Sequence, residues 1–150
     1  PFYVIGFLNG MIGVFDDKFT PPMTTFPAHN PDMMMSAAVS SYDDTIATVS
    51  KDNTIKVWVM RGVASCKHTL EGHTDFVLTA TFSPNSTILF TGSKDQTIRM
   101  WQHKTGQDLC TISAHHNTIF KVSHHPKNNT FVSCSGEGVV CLWDYQLNKM

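Results

Sequence analysis

The chain contains no run of 18 apolar residues that could cross a membrane, and no signal-peptide pattern occurs in its 150 residues. A basic surplus is missing too. Eleven Lys and Arg stand against twelve Asp and Glu, giving a net charge of −1 and a pI near 6.8. Proteins that grip the nucleic-acid backbone carry clustered basic surface, so direct nucleic-acid binding is not expected. Only four cysteines are present, Cys66, Cys110, Cys134 and Cys141, and they form no CxxC pair or regular framework. That usage fits reduced thiols of a nuclear or cytoplasmic protein, with the nucleus preferred. No Cys or His pair has zinc-finger spacing. The GFLNG stretch at Gly6–Gly10 is followed by no Gly-Lys-Ser/Thr, which makes it a turn and not a phosphate loop. No metal and no cofactor is therefore expected.

What is present is repetition. Trp58, Trp101 and Trp143 lie 43 and 42 residues apart, and each closes the same kind of segment. The copies read AHNPDMMMSAAVSSYDDTIATVSKDNTIKVW, GHTDFVLTATFSPNSTILFTGSKDQTIRMW and AHHNTIFKVSHHPKNNTFVSCSGEGVVCLW. Each runs from a histidine through two alternating strands and an acidic turn to a strand ending in Trp. Self-similarity at this period is similar to the blades of WD40 propellers, which are four-stranded antiparallel sheets set around an axis. The resemblance implies an all-β propeller with three and a half blades in view, belonging to a ring of about seven.

The middle copy carries the clearest turn signals. They predict an inner strand a over Phe76–Phe82, strand b over Thr87–Thr91, strand c over Thr97–Trp101 and an outer strand d over Asp108–Ile112. The frame divides the chain into a partial blade at 1–27, full repeats at 28–70 and 71–112, and a last repeat at 113–150 without its outer strand. In the partial blade Phe15 precedes Trp58 by 43 residues, and Asn9 precedes Phe15 by six, as Asp52 precedes Trp58. The chain reads as the C-terminal part of a longer protein, with Met150 either a true end or a truncation.

Each copy also holds a histidine, a hydroxyl, an acid and a tryptophan at matching positions. These are His29, Thr48, Asp52 and Trp58; His73, Thr91, Asp95 and Trp101; and His115, Ser133, Glu137 and Trp143. An acid, a histidine and a hydroxyl suggest a hydrolytic triad. The tryptophan argues otherwise, because an indole N–H can only donate. The connected order is indole to hydroxyl, hydroxyl to imidazole, imidazole to carboxylate, which uses up the hydroxyl's lone pairs. Three copies of one triad serve no single reaction, so the tetrads are read as struts and no catalytic residue is assigned.

Partner contacts are expected where strand a begins and just before each turn acid. Those positions hold Met33, Met34 and Met35 in the first copy, Phe76 and Leu78 in the second, and Thr118 and Phe120 in the third, with Lys51 and Lys94 before the acids. An apolar rim flanked by lysines suits a peptide or amphipathic helix from another protein. The competing reading buries these side chains against the next blade. GHTDFVLTATFS…ILFTGSKDQTIRMW and TFVSCSGEGVVCLWDY, in that order, resemble the last two blades of the Tup-type general transcriptional corepressors. The resemblance implies a top face that docks DNA-bound repressors, with Phe76, Leu78 and Lys94 on it, in a subunit of a larger complex. A ubiquitin-ligase substrate receptor, a signalling or trafficking scaffold, and a propeller fused to an enzyme remain alternatives.

Overall fold

The computed structural model describes residues 3–16, 18, 22–61 and 63–145. They form fourteen strands in four antiparallel sheets, with no helix among them. The first sheet comprises β1 (Tyr3–Gly6), β2 (Met11–Phe15) and β3 (Thr24–Pro27). The second comprises β4 (Met34–Val39), β5 (Thr45–Ser50), β6 (Ile55–Val59) and β7 (Ser65–Leu70). The third contains β8 (Val77–Phe82), β9 (Ile88–Ser93), β10 (Thr97–Gln102) and β11 (Gln107–Ser113), and the fourth β12 (Ile119–His124), β13 (Thr130–Ser135) and β14 (Val140–Asp144). Within every sheet the strands follow chain order. The region expected to lack an outer strand d continues past Tyr145 into 146–150, which lie outside the described residues.

The inner strands β4, β8 and β12 pack side by side, and β1 lies against β4. This is a partial propeller, its sheets stacked face to face around one side of an axis. Three apolar clusters fill the spaces between successive blades. Ile12 and Val14 meet Ile46 and Trp58; Val49 and Val57 meet Val77, Phe82 and Trp101; Phe90 and Met100 meet Ile119 and Phe131. Both faces of the middle sheets are therefore core, which explains why β5 and β9 are buried at every position. Simple in–out alternation does not survive on strands covered from both sides.

Turn chemistry is repeated as well as packing. The b–c turns place Asn53, Gln96 and Gly138 at φ near +70°, and Gly10 occupies the same place in the first sheet. The carboxylate oxygen of Asp52, and likewise of Asp95, accepts from the backbone N–H two residues on, at 2.9 Å. Asn9 does the same for Met11 at 3.2 Å. A short polar side chain that turns back on its own backbone is what selects Asp and Asn here.

One feature of the inner strands differs from the sequence expectation. Strand a does not alternate from Phe76 to Phe82; it begins at Val77 and carries a bulge. Val77 pairs with Ser93 and Thr79 with Gly92, leaving Leu78 as the extra residue. Met35 and Phe120 are the extra residues at the same place in β4 and β12. The bulge puts Val77 and Thr79 on opposite faces, Val77 in the cluster toward the second sheet and Thr79 with its Oγ1 accepting from Val122 N–H of the fourth at 3.4 Å, so both are buried.

Candidate functional site

Each tetrad is a connected chain of hydrogen bonds. In the middle blade the Trp101 indole N–H donates to Thr91 Oγ1 at 2.9 Å, Thr91 Oγ1 lies 2.9 Å from His73 Nε2, and His73 Nδ1 lies 2.7 Å from Asp95 Oδ2. The corresponding distances for Trp58, Thr48, His29 and Asp52 are 2.9, 2.8 and 2.8 Å. For Trp143, Ser133, His115 and Glu137 they are 2.8, 2.8 and 2.9 Å. With each hydroxyl held between an indole donor and a ring nitrogen, the network satisfies buried polar groups that would each cost about 1–3 kcal/mol if orphaned.

The charges follow from these contacts. Burial lowers the His29 pKa and outweighs the hydrogen bond and attraction of Asp52, so the ring favours its neutral form. Neutral His29 then donates from Nδ1 to Asp52 and accepts at Nε2 from the Thr48 hydroxyl. Burial pushes the Asp52 and Asp95 carboxyls up, but hydrogen bonds from the histidine and from Thr54 or Thr97 prevail and hold both below the usual carboxylate range. The His115 hydrogen bond likewise lowers Glu137.

Sequence reasoning missed one pair of supports. Thr54 and Thr97 donate their hydroxyls to the second carboxylate oxygen at 2.7 Å in both complete blades. The signal was the Thr two residues after the acid in DNT and DQT; the last copy has Val139 there.

At the same end of the blades lies the rim that could meet a partner. Met33, Phe76 and Thr118 are equivalent, since their carbonyls accept from the backbone N–H of Lys51, Lys94 and Gly136 at 3.1, 2.9 and 2.9 Å. The Phe76 ring is half-buried, with Lys94 Nζ 4.8 Å and Lys51 Nζ 5.4 Å from its centroid. These two lysines come from neighbouring blades, so the aromatic ring bridges them by cation–π attraction. Asp75, which the sequence reading did not single out, holds Lys94 at 3.3 Å. Phe120 is exposed beside Gly136, Leu78 and Thr118 are half-buried, and Met33 is half-buried at the rim of the second sheet.

One of the methionines does not belong to that surface. Met34 is buried among Ile12, Val14 and Ala28, with its methyl against Gly6 of the preceding sheet. Met35, half-buried at the bulge position that Leu78 and Phe120 hold in the next blades, leans against the cluster between the second and third sheets. Met34 is equivalent to Val77 and Ile119, and all three begin strand a as interblade core. The expectation that all three methionines line the rim is therefore corrected for Met34, which is core, leaving Met33 and the bulge residue Met35. The physical reason is the bulge, which shifts the phase of strand a within one residue of its start.

Among the described residues no group of three or more His, Cys, Asp or Glu could hold a metal ion. His124 is engaged otherwise: Nε2 lies 2.6 Å from the Tyr145 hydroxyl and Nδ1 2.6 Å from the His125 carbonyl.

Residues 20–59, 64–102 and 106–144 each match the family model of the WD domain, G-beta repeat. Every match starts one strand before a blade, taking the outer strand of one sheet with strands a, b and c of the next. Each sequence repeat thus ties two blades together. The comparison with curated proteins finds no match.

Proposed function

The chain belongs to the WD40-repeat family, and on that premise we propose that it is the docking propeller of a nuclear transcriptional corepressor. WD40 domains generally act as scaffolds that hold other proteins, so the open question is which partner and through which surface. The observation that carries the site is Phe76, an aromatic ring set between Lys51 and Lys94 on two adjacent blades. Such a ring offers an apolar anchor with positive charge on either side, which fits a peptide or helix presenting an apolar residue next to acids. Leu78 and Phe120, aimed by the repeated bulge, extend the apolar surface along the rim. Support for the corepressor role is narrower. It rests on the resemblance of the third and fourth blades to those of Tup-type corepressors.

The test is a capture experiment from nuclear extract with the protein as bait, wild type against Phe76→Asp/Leu78→Asp, read by mass spectrometry. DNA-binding repressors held by the wild type and lost by the double variant are the expected result. Ubiquitin-ligase or coat subunits in their place would sink the corepressor role. An unchanged set of repressors with a folded variant would sink the site.

A further inference from the structure

The interface between the second and third sheets and the one between the third and fourth share a register but are filled with different chemistry. Between the third and fourth sheets three apolar side chains meet near the c–d turn end. Phe90 pairs with Met100, Leu109 is the extra residue of the bulge between β10 and β11, and Tyr145 stands two places after Trp143. Phe90 and Tyr145 belong to one buried cluster, and Leu109 packs against it. By the same register the preceding interface has Ala47, Lys67 and His103 at these positions. A small, a cationic and a polar side chain thus stand where two aromatics and a leucine seal the next interface. The space is a cleft of about 230 Å³ between the two blades, lined by Asp43, Asp44, Arg61, Lys67, His103 and Lys104 among others.

His103 is the best-fixed group in this cleft. Its side chain is 2% exposed and stands edge-on to the Phe82 ring, with centroids 5.5 Å apart. Nε2 lies 3.4 Å from Asp43 Oδ2, whereas Nδ1 is buried without a partner among the described residues. The equivalent Tyr145 is satisfied, its hydroxyl 2.6 Å from His124 Nε2. A buried ring nitrogen left unmet calls for an explanation, and a ligand that accepts from it supplies one. The nearby cations point to the sign of that ligand. Arg61 pairs with Asp44 at 3.4 Å, but Lys67 and Lys104 have no ion-pair partner among the described residues. Lys67 is the extra residue of the bulge between β6 and β7. His68 Nε2 donates to the Lys104 carbonyl at 2.9 Å, which ties the c–d turn of the third sheet to β7. With Asp44 matched by Arg61 and Asp43 by the facing imidazole, two lysines remain for an anion.

We propose that this cleft binds a phosphate dianion, free or as a monoester, with Lys67 and Lys104 pairing its charge and His103 Nδ1–H donating to one oxygen. Between Asp43 and the phosphate the ring donates from both nitrogens, as the imidazolium. A dianion matches two lysines, and charge-assisted hydrogen bonds to phosphate oxygens are the strong ones. The cleft lies at the a–b and c–d turn end, opposite the docking rim, so the inference is independent of the reading of that rim.

The test is calorimetric titration of the whole protein with inorganic phosphate and with phosphoserine, in chloride buffer at constant ionic strength. Saturable binding of at least one is expected, together with a shift of the His103 ring protons in NMR spectra. Lys67→Leu/Lys104→Gln should weaken that binding about tenfold or more. Circular dichroism checks its fold, and leucine is the residue the next blade carries at the position of Lys67. Lys127→Gln, at an exposed lysine outside the cleft, should leave binding unchanged. Tighter binding of phosphoserine would assign the ligand to phosphoesters, and equal binding to free phosphate. Neither heat nor a His103 shift with either ligand would overturn the proposal. So would an affinity that survives the folded double variant, or a loss that Lys127→Gln shares equally.

Discussion

The third and fourth sheets are built from nearly the same plan, yet one is sealed and the other half open. In the third, Trp101 is 1% exposed and Asp95 takes donors on both carboxylate oxygens, from His73 and from Thr97. In the fourth, Trp143 is only half-buried, and Glu137 Oε1 alone gathers His115, Ser135 and the His116 N–H. The hydrogen-bond chain has the same length in both. What differs is the edge: β11 pairs with β10 beyond Trp101, whereas among the described residues no strand pairs with β14 on its outer side. A tetrad is thus a local pattern whose shielding from water depends on the strands beside it.

Removing the central hydroxyl should expose that difference most strongly. Thr91→Val leaves the Trp101 indole and the His73 ring nitrogen without partners in a dry interior, and about 2–4 kcal/mol of stability should be lost. Ser133→Ala should cost less, about 1–2 kcal/mol, because Ser133 is itself buried but the Trp143 indole it holds is only half-buried and can turn to water. Urea unfolding followed by tryptophan fluorescence measures both, and equal losses would break the comparison.

A second contrast lies one residue along. Gly92 has no room for a side chain: a Cβ would sit 2.7 Å from Ile119 Cγ2 and 2.9 Å from Thr79 Cγ2. Its counterpart in the fourth sheet is Cys134, which has no blade in front of it among the described residues. Gly92→Cys should destabilise by about 1–3 kcal/mol through overpacking, while Cys134→Ala should change stability by less than about 0.5 kcal/mol. Thermal unfolding of the two variants separates these outcomes.

Acid should act in two stages, both destabilising. His29 has a folded pKa below its ordinary 6.5, so the stability it contributes is present above that value and fades as pH falls through its folded pKa. Asp52 and Asp95 are held below 3.8, so their contribution persists to about that pH and is lost beneath it. A melting temperature that declines first below pH 6.5 and again below 3.8 is expected. Asp52→Asn should blunt the second decline, and a flat profile between pH 7 and 5 would remove His29 from the account.

The smallest effect concerns the b–c turn. Gln96 adopts φ +71° where the fourth sheet has Gly138 at +78°. Gln96→Gly should stabilise by about 0.5–1 kcal/mol, and Gly138→Gln should lose a similar amount. Chemical denaturation resolves shifts of this size when the two variants are run side by side.

Much of the molecule was legible before any coordinates. The period of the tryptophans marked the blades, and the fixed spacing from acid to Trp identified the residues that come within hydrogen-bonding distance in each tetrad. The spacing worked because a tetrad bridges strands through one short turn, and its geometry is therefore written locally. The rim was read less well. Phe76 between its lysines is at the surface, whereas Met34 is packed inside, because a bulge adds one residue without leaving any mark in composition. Thr54 and Thr97 went unread although their spacing from the acid was visible.

The sequence by itself determined the strand count per repeat, the turn residues and the partners within each tetrad, all of which depend on contacts between residues close in the chain. Only the tertiary structure decided which apolar residues are core. Ile98 and Val140 occupy one position in successive repeats and are equally apolar, yet one is buried and the other exposed. Burial on a blade face depends on whether another sheet lies across it, and a residue's own neighbours in sequence do not carry that information.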